Sequence, residues 1–290
     1  MLFRSYSHPD DFFARELERA YGDAQARPAY FASIGAGNCD TEIRIAQILR
    51  ARGIDDFVID CLDVNTAMLA RGAAQAADAG VAANIRPLEG DFNRWQPPHP
   101  YDAIVANQSL HHVSALEHLF DAVAGALTPR GRFIVSDMIG RNGHRRWPAA
   151  LAIVEEYWAA LPARCRYDHQ RDRRDERYPD TDHAAGSFEG IRAEDILPLL
   201  AERFAFEFFF AFGNVIDPFI DRGYGPNFDP QNAADRALID AIHARDEAEQ
   251  RAGRIPPTHL MAVLRRSAWT GPLRCREPLT PRFALAARSP

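Results

Sequence analysis

The clearest candidates for chemistry lie in a glycine-rich turn, Gly35-Ala36-Gly37, which follows a short apolar run and precedes a helical pattern. Two glycines at such a turn let a ligand approach the backbone, with the N-terminus of the helix facing it. A dinucleotide site would have a further glycine at the sixth position of the motif. Asp40 occupies that position and Glu42 follows, and carboxylates there would repel a pyrophosphate. Unless it is an ordinary tight turn, this segment favours a ligand with an ammonium or sulfonium group.

Acidic residues follow the next two apolar runs and could complete a nucleoside site. Asp63 ends the second run, where its carboxylate can accept from both hydroxyls of a ribose; alternatively, it caps the helix predicted over 66–72. Asp60 is less favoured because it falls inside the same run. Asp91 could accept from an exocyclic amine and Phe92 could pack on a purine face, although the pair could equally form a turn.

Two histidines, His111 and His112, follow the fourth apolar run and are candidates for a general base. The alternative is that they merely start a helix. Three later histidines, His144, His169 and His183, could line a pocket for the second substrate. No metal site is predicted, because the acids and histidines of that later segment lack ordered ligand spacing.

The elements that must position these residues alternate between strands and helices from residue 31 to about 139. The predicted strands are Tyr30–Ile34, Phe57–Leu62, Asn84–Leu88, Ala103–Ala106 and Arg132–Ser136. Continuous apolar strands are buried on both faces, which is typical of a parallel, doubly wound sheet. The predicted fold class is therefore α/β, and the candidate residues lie where its strands end, at the edge where such sheets bind ligands.

The alternation stops after residue 140, and the chain divides into five predicted segments. These are a helical entry segment (1–30), the ligand-binding α/β core (31–140), an inserted helix and loop forming a substrate cap (141–190), a part that completes the sheet (191–266) and a loosely attached tail (267–290). The completing strands are predicted over Phe204–Phe212 and Thr258–Arg265.

Composition and charge exclude several classes of function. The chain has 290 residues, of which 47% are hydrophobic, enough for a sizeable core. All 34 basic residues are arginine, which excludes a lysine Schiff base, and the net charge of −6 argues against a nucleic-acid partner. No apolar run reaches the roughly 20 residues of a membrane helix. The four cysteines lack paired spacing and no secretory signal is found, so we expect reduced thiols and a cytoplasmic location. The apolar helix predicted over 147–161 could pair two copies in a homodimer.

Taken in order, these motifs resemble those of the class I S-adenosylmethionine-dependent methyltransferases. The pieces that carry the resemblance are Gly35-Ala36-Gly37, Asp63, Gly90-Asp91-Phe92, the run from Tyr101 to Val113 and the run from Leu127 to Val135. The resemblance covers residues 31–139. It implies a Rossmann-like sheet of seven strands, mainly parallel, with one antiparallel strand.

The resemblance also implies S-adenosyl-L-methionine as the cofactor. Gly35 and Gly37 would line its methionine part, Asp63 would bind its ribose, and Asn107 would face its methyl end. Asp91 and Phe92 would hold the adenine. The family's third glycine is Cys39 here and its usual first-strand acid is Ser33, so Asp40 is the candidate substitute for holding the amino and carboxylate groups.

The function implied is O- or N-methylation of a small-molecule acceptor by in-line displacement. A nucleic-acid acceptor is not expected, because Asn107-Gln-Ser-Leu stands where amino-directed base methyltransferases carry an Asn/Asp-Pro-Pro-Tyr/Phe motif. Two alternatives stay open. One is an NAD-dependent oxidoreductase, which Cys39 and Asp40 disfavour; the other is a non-catalytic relative that binds the cofactor.

Overall fold

A mixed sheet of eight strands runs through the part of the chain that the computed structural model describes, residues 8–288. In chain order, the strands are β1 (Ala29–Ile34), β2 (Phe57–Asp63), β3 (Ile85–Glu89), β4 (Tyr101–Asn107), β5 (Leu127–Met138), β6 (Tyr167–Asp168), β7 (Arg173–Arg174), β8 (Phe204–Phe212), β9 (His259–Arg266) and β10 (Arg274–Cys275). The order across the sheet is β10-β8-β9-β5-β4-β1-β2-β3, while β6 and β7 form a separate hairpin. Residues 1–7 of the predicted entry segment and 289–290 of the predicted tail lie outside the described residues.

Helices cover both faces of this sheet. They are α1 (Pro9–Asp23), α2 (Asp40–Ala51), α3 (Thr66–Asp78), α4 (Leu116–Ala126), α5 (Pro148–Ala160), α6 (Ala193–Arg203), α7 (Asp217–Ile220), α8 (Ala233–Arg251) and α9 (Pro281–Ala286). Within residues 8–288, none is both long and apolar enough to cross a membrane.

Side chains alternate between two hydrophobic cores along each strand. On β1, Phe31 packs in the core that contains α1, α2 and α3, whereas Ala32 and Ile34 pack in the core that contains α4 and α6. Because both faces are covered, the central strands are apolar almost throughout. The predicted doubly wound α/β fold is confirmed.

The predicted count of seven strands is wrong, because a short eighth strand closes one end of the sheet. Strand β10 pairs in parallel with Phe208 and Phe209 of β8. Two residues with no apolar pattern give no strand signal, so the sequence could not reveal it. The implied single antiparallel strand is confirmed: among the described strands of the sheet, it is β9. The predicted loose tail is also wrong for its described part, since Leu279 and Ala284 are buried against the protein.

A third hydrophobic core lies outside the sheet and joins the inserted segment to later helices. Trp158 on α5 packs there with Phe219 on α7 and Ile242 on α8. Tyr224, which lies between α7 and α8, belongs to the same core. The apolar residues of α5 that suggested pairing with a second copy are therefore used within this chain. The homodimer itself and the boundaries of the five segments stay predictions.

Candidate active site

The glycine-rich turn connects β1 to α2 through left-handed backbone. Gly35 has φ +71° and Gly37 has φ +56°, conformations that glycine adopts readily. A Cβ at Gly35 would lie only 2.7 Å from the Cβ of Ser109, which follows β4. The turn is therefore packed directly against the segment that carries the predicted histidines.

Asp63 joins the ends of three neighbouring strands. Its carboxylate accepts hydrogen bonds from the backbone N–H of Gly37 at 2.9 Å and of Asn65 at 2.8 Å. Its carbonyl oxygen accepts from the N–H of Gly90, which follows β3, at 3.1 Å. The carboxylate stays half-buried at the open edge of the sheet. The ends of β1, β2 and β3 therefore meet around Asp63, as the sequence predicts.

The other acids of the first three strands have separate roles. Asp91 is exposed and caps a 3-10 turn by accepting from the N–H of Asn93 at 2.9 Å, while Phe92 is half-buried against the α4–α6 core. Asp60 is buried inside β2, where it pairs with Arg86 and accepts from the hydroxyl of Tyr101 at 2.8 Å. These contacts make Asp60 structural and leave Asp91 at the open edge.

Beneath the turn lies a buried carboxylate, that of Glu42 on α2. Glu42 is 4% exposed, and Ser33 on β1 donates a hydrogen bond to its Oε1 at 2.6 Å. Its Oε2 has no hydrogen-bond partner, and burial raises the pKa of this carboxyl above its usual value. Asp40, the predicted substitute acid, is instead exposed at the first residue of α2.

The turn after β4 is fixed by Asp137, a buried residue near the end of β5. Asn107 ends β4 and pairs in register with Ser136. The Oδ2 of Asp137 accepts from the backbone N–H of Ser109 at 2.9 Å and of Leu110 at 2.7 Å. Its Oδ1 lies 2.6 Å from Nδ1 of His111. This bond orients the imidazole and leaves Nε2 as the nitrogen available to other groups.

Nε2 of His111 faces a group of side chains that comes from distant parts of the chain. It lies 3.5 Å from Oε1 of Glu189, and Nδ1 of His112 lies 3.7 Å from Oε2 of the same residue. His144 donates to Oε1 of Glu189 at 2.9 Å and packs edge-on against the ring of His111. We call His111, His112, His144 and Glu189 the His-Glu cluster.

Ionisation within this cluster follows from burial and pairing. Burial lowers the pKa of His111, but the bond to Asp137 and the charges of Asp137 and Glu189 outweigh it, so the pKa is raised overall. For His144, burial together with the nearby His111 and His183 lowers the pKa to about 4 despite the bond to Glu189. Burial raises the pKa of Glu189, but the neighbouring histidines lower it by more, so this pKa is lowered overall.

A cavity of about 520 Å³ opens beside the His-Glu cluster. Met138, Phe212 and His259, at the ends of β5, β8 and β9 on the same edge of the sheet, form part of its wall. His144 and His183 also line it, as predicted. The structure does not bring His169 there; it lies 2.9 Å from Asn227.

Two arginines in the cavity wall are paired with acids, and two further acids, Asp221 and Asp246, also line it. Arg146 contacts Asp217 at 2.7 Å, and Arg276 contacts Glu247 at 2.6 Å. The intervening wall is apolar; it includes Met138, Ala211, Phe212, Ile216 and Leu279. The cavity is therefore suited to a partly apolar molecule.

Comparison with family models decides which kind of domain this is. Residues 32–133 match a model described as a methyltransferase domain. Residues 32–133 of this protein form a methyltransferase domain. Comparison with curated proteins gives no match.

Solved structures share the fold of this protein. A protein from Galdieria sulphuraria assigned as a sarcosine dimethylglycine methyltransferase aligns with a TM-score of 0.53 at 18% identity, covering 89% of this chain and 85% of that chain. Two others align with TM-scores of 0.47. The O-methyltransferase of a trans-AT PKS multienzyme of Brevibacillus brevis is 13% identical, with 87% of this chain and 71% of that chain covered. The geranyl diphosphate C-methyltransferase from Streptomyces coelicolor A3(2) is 14% identical, with 89% and 79% covered. At these identities the likeness concerns the fold alone.

The methyltransferase family implies S-adenosylmethionine as methyl donor, and the strand ends have the groups that such a donor needs. Backbone at Gly35 and Gly37 is bare of side chains, and a Cβ at Gly37 would lie 3.1 Å from Met68. Asp63 offers a carboxylate for ribose hydroxyls, and the Oε2 of Glu42 offers a buried oxygen without a hydrogen-bond partner beneath the turn. The residues present therefore fit the cofactor.

Two residues of the candidate site, Asp137 and Glu189, were not predicted from the sequence. Asp137 is 26 positions from the histidine that it orients, and Glu189 lies 45 positions from His144. Neither spacing forms a linear motif. The only available signal for Asp137 was an acid inside an apolar strand, a position that calls for a buried partner.

Proposed function

We propose that this protein transfers a methyl group from S-adenosyl-L-methionine to oxygen or nitrogen of a small-molecule acceptor. The observation that carries the proposal is the arrangement along one edge of the sheet. The carboxylate and glycine-rich turn lie at β1 to β3, the cavity lies at β5, β9 and β8, and the turn after β4 lies between them. From β1 to β5 is two strand spacings, roughly 10 Å, a short distance between donor and acceptor.

In this proposal the strand ends bind the cofactor. Gly35 and Gly37 line the methionine part, and Asp63 binds the ribose hydroxyls. Asn107 faces the methyl end. The adenine is held by the pair at the end of β3, Asp91 and Phe92. Asp40 and the buried Glu42 supply negative charge for the ammonium and sulfonium groups.

The reaction then needs alignment and removal of one proton. Bound S-adenosylmethionine supplies a methyl group on an activated leaving group, so the protein mainly places the acceptor atom about 3 Å from that methyl. His111 and His112 are the candidates for taking the acceptor's proton. The pairing of His111 with Asp137 at 2.6 Å supports His111, because the carboxylate fixes the ring and stabilises its protonated form.

A small-molecule acceptor is supported by the cavity and by charge. A volume of about 520 Å³ lies in the range of small-ligand pockets. Both arginines of the wall are paired with acids and much of the rest is apolar, which favours a partly apolar acceptor with one polar end directed at the His-Glu cluster. The net charge of −6 disfavours a nucleic acid.

Transfer of an isotopically labelled methyl group tests the proposal. The protein is incubated with cofactor carrying a trideuterated methyl group and with a cell extract or a panel of phenols, alcohols and amines. The products are analysed by mass spectrometry. A small molecule that gains the labelled methyl group only when the protein is present supports the proposal. Absence of any labelled product across extract and panel, despite tight cofactor binding, would favour the non-catalytic relative.

Replacement of Asp63 tests the cofactor half independently of any acceptor. Asp63→Ala should weaken binding of S-adenosylhomocysteine by about 1–3 kcal/mol, the scale of a hydrogen bond to a charged group. Asp55→Ala is the matched control, because Asp55 is exposed before β2, at the opposite edge of the sheet. Calorimetry should show that the control binds S-adenosylhomocysteine with the affinity of the wild type. The wild-type protein should not bind NAD. Equal affinities for wild type and Asp63→Ala would remove Asp63 from the site.

A further inference from the structure

The donor atoms of the His-Glu cluster converge as the ligands of one metal ion do. We propose that this cluster binds a single divalent transition-metal ion, Zn²⁺ foremost. Among the described residues, His111, His112 and Glu189 offer ligand atoms that all lie within 4.8 Å of one another. His144 lies against the same carboxylate. The site is distinct from the cofactor-binding residues, although it adjoins the acceptor cavity.

The distances from the Glu189 oxygens to the three histidines are close to those of a tetrahedral site. Ligand atoms about 2.0–2.1 Å from a tetrahedral Zn²⁺ are roughly 3.3–3.4 Å from one another. Oε1 of Glu189 lies 2.9 Å from Nε2 of His144 and 3.5 Å from Nε2 of His111, and Oε2 lies 3.7 Å from Nδ1 of His112. These separations bracket the tetrahedral edge, so small side-chain rotations would bring three or four donors onto one ion.

The chemistry of the donors selects the kind of metal. Imidazole nitrogens suit zinc and its first-row neighbours, whereas magnesium and calcium prefer oxygen ligands. His111 also has the outer partner that metal-bound histidines usually have, because Asp137 holds its Nδ1 at 2.6 Å and directs Nε2 into the cluster. Asp137 is itself fixed by the backbone N–H groups of Ser109 and Leu110.

Backbone hydrogen bonds hold Glu189 in place for this role. The N–H of Ile191 donates to the carbonyl of His111 at 3.1 Å, and the carbonyl of Gly190 accepts from Gly143 at 2.9 Å. A Cβ at Gly190 would lie about 3.0 Å from ring atoms of His144, so glycine there lets the imidazole lie over the chain. The inserted segment is thereby tied to the core at the cluster. A site assembled before the metal arrives binds it with less loss of conformational freedom.

What the metal does rests on the proposed function. With His111, His112 and Glu189 as the three ligands, a fourth coordination position stays open, as in catalytic zinc sites, and it lies beside the cavity that Glu189 lines. An acceptor hydroxyl on that position loses its proton to solvent more easily, because the metal stabilises the resulting oxyanion. The oxygen then forms its bond to the methyl carbon while the carbon–sulfur bond breaks and S-adenosylhomocysteine leaves. His111 would in that case be a ligand and not the proton acceptor.

Metal content and affinity test the site without any methyl acceptor. Tag-free protein is analysed by inductively coupled plasma mass spectrometry, stripped with a chelator and titrated with Zn²⁺ against a fluorescent competitor. We expect one equivalent per chain. Glu189→Gln and His112→Ala should each weaken Zn²⁺ binding at least about tenfold, the scale seen even for lost outer partners. Both side chains are partly exposed, at 42% and 38%, so the variants should fold.

A matched control separates this site from nonspecific binding of Zn²⁺ by other histidines. His118 is exposed on α4, away from the cluster, so His118→Ala should keep the affinity of the wild type. Wild-type affinity no tighter than that of Glu189→Gln would overturn the metal site.

A second readout addresses the reaction. With an acceptor in hand, the stripped protein should lose methyl transfer and regain it with Zn²⁺, while S-adenosylhomocysteine binding stays unchanged. Full methyl transfer by the metal-free protein would show that the metal has no part in the reaction. His111 would then be the candidate for accepting the acceptor's proton. Failure of both metal-loaded and metal-free protein to methylate any acceptor would contradict the proposed function instead, and the Zn²⁺ titration would still decide the site.

Discussion

Buried carboxylates in this protein differ in the groups that donate hydrogen bonds to them, and these groups decide what each carboxylate can do. Asp137 receives three backbone N–H groups and an imidazole, so it can act as a fixed anchor for the turn after β4. Asp60 is paired with an arginine and a tyrosine hydroxyl inside the sheet. Glu42 has an oxygen with no partner and so keeps capacity for a cation. These differences separate structural acids from those at the site.

Asp246 on α8 is the buried acid for which burial has the clearest consequence. Its carboxylate is 1% exposed and accepts from Gln250 at 3.0 Å and from the backbone of Val215 at 3.2 Å. Burial, with the nearby charge of Asp217, raises its pKa from 3.8 to about 6. The folded state therefore binds this proton more tightly than the unfolded state does.

We expect Asp246→Asn to change how stability depends on pH. Because the folded-state pKa is the higher one, this group lowers the free energy of unfolding as pH rises from about 4 to about 6. The loss is up to about 3 kcal/mol for a shift of this size. Relative to wild type, Asp246→Asn should therefore gain stability between pH 4 and pH 7, measured by urea unfolding. If the difference in free energy of unfolding between the two proteins did not change with pH, the raised pKa of Asp246 would be contradicted.

At the scale of elements, the glycine-rich turn acts by contact as well as by conformation. Gly35 and Gly53 both have left-handed backbone, with φ of +71° and +79°. A Cβ would meet Ser109 at 2.7 Å at the first position and nothing within 4 Å at the second. The pair therefore separates the cost of the conformation from the cost of the contact.

Alanine at these two glycines should have different effects. Gly53→Ala should cost roughly 1 kcal/mol of stability, the price of the left-handed conformation alone. Gly35→Ala should cost about 1–3 kcal/mol more, because the methyl group forces the turn and the segment after β4 apart. Calorimetry should show weaker S-adenosylhomocysteine binding for Gly35→Ala and unchanged binding for Gly53→Ala. Similar stability losses and affinities for both variants would show that the close contact has no role.

Elements with their own apolar pattern were predictable, and elements defined by a partner were not. The strand predicted over Phe204–Phe212 has those bounds in the structure, because a run with six phenylalanines strongly favours a strand. Strand β10 exists only because β8 presents an unpaired edge to Arg274 and Cys275. The same contrast holds at the site. Asp63 follows a strand and could be placed from the sequence, whereas Glu189 reaches the histidines only through tertiary packing.

At the scale of the whole molecule, the proposed cofactor residues and the proposed acceptor cavity depend on different cores. Gly35, Gly37 and Asp63 are carried by strands packed between the two sheet cores. Part of the cavity wall, including Ile216, belongs to the third core, which Trp158 on α5 helps to fill. Damage to the third core should therefore affect the acceptor side before the cofactor side.

Trp158→Ala tests this division. Trp158 is 2% exposed, lies edge-on to Tyr224 with ring centroids 4.8 Å apart, and donates its indole N–H to the carbonyl of Asp175 at 3.2 Å. Truncation should cost about 3–5 kcal/mol, the range for a fully buried aromatic side chain. Trp269→Ala is the control, because Trp269 is only half-buried beyond the end of β9 and its loss should cost about 1 kcal/mol or less.

The decisive comparison for Trp158→Ala is between stability and cofactor affinity. Urea unfolding followed by circular dichroism should show the loss as an early transition, since the third core opens while the sheet cores hold. S-adenosylhomocysteine affinity below that transition should stay within about twofold of wild type, because no cofactor-binding residue touches the third core. A parallel loss of cofactor affinity, or one transition shifted as a whole, would mean that the inserted segment and the sheet unfold together. The acceptor cavity would then be as rigid as the cofactor site beside it.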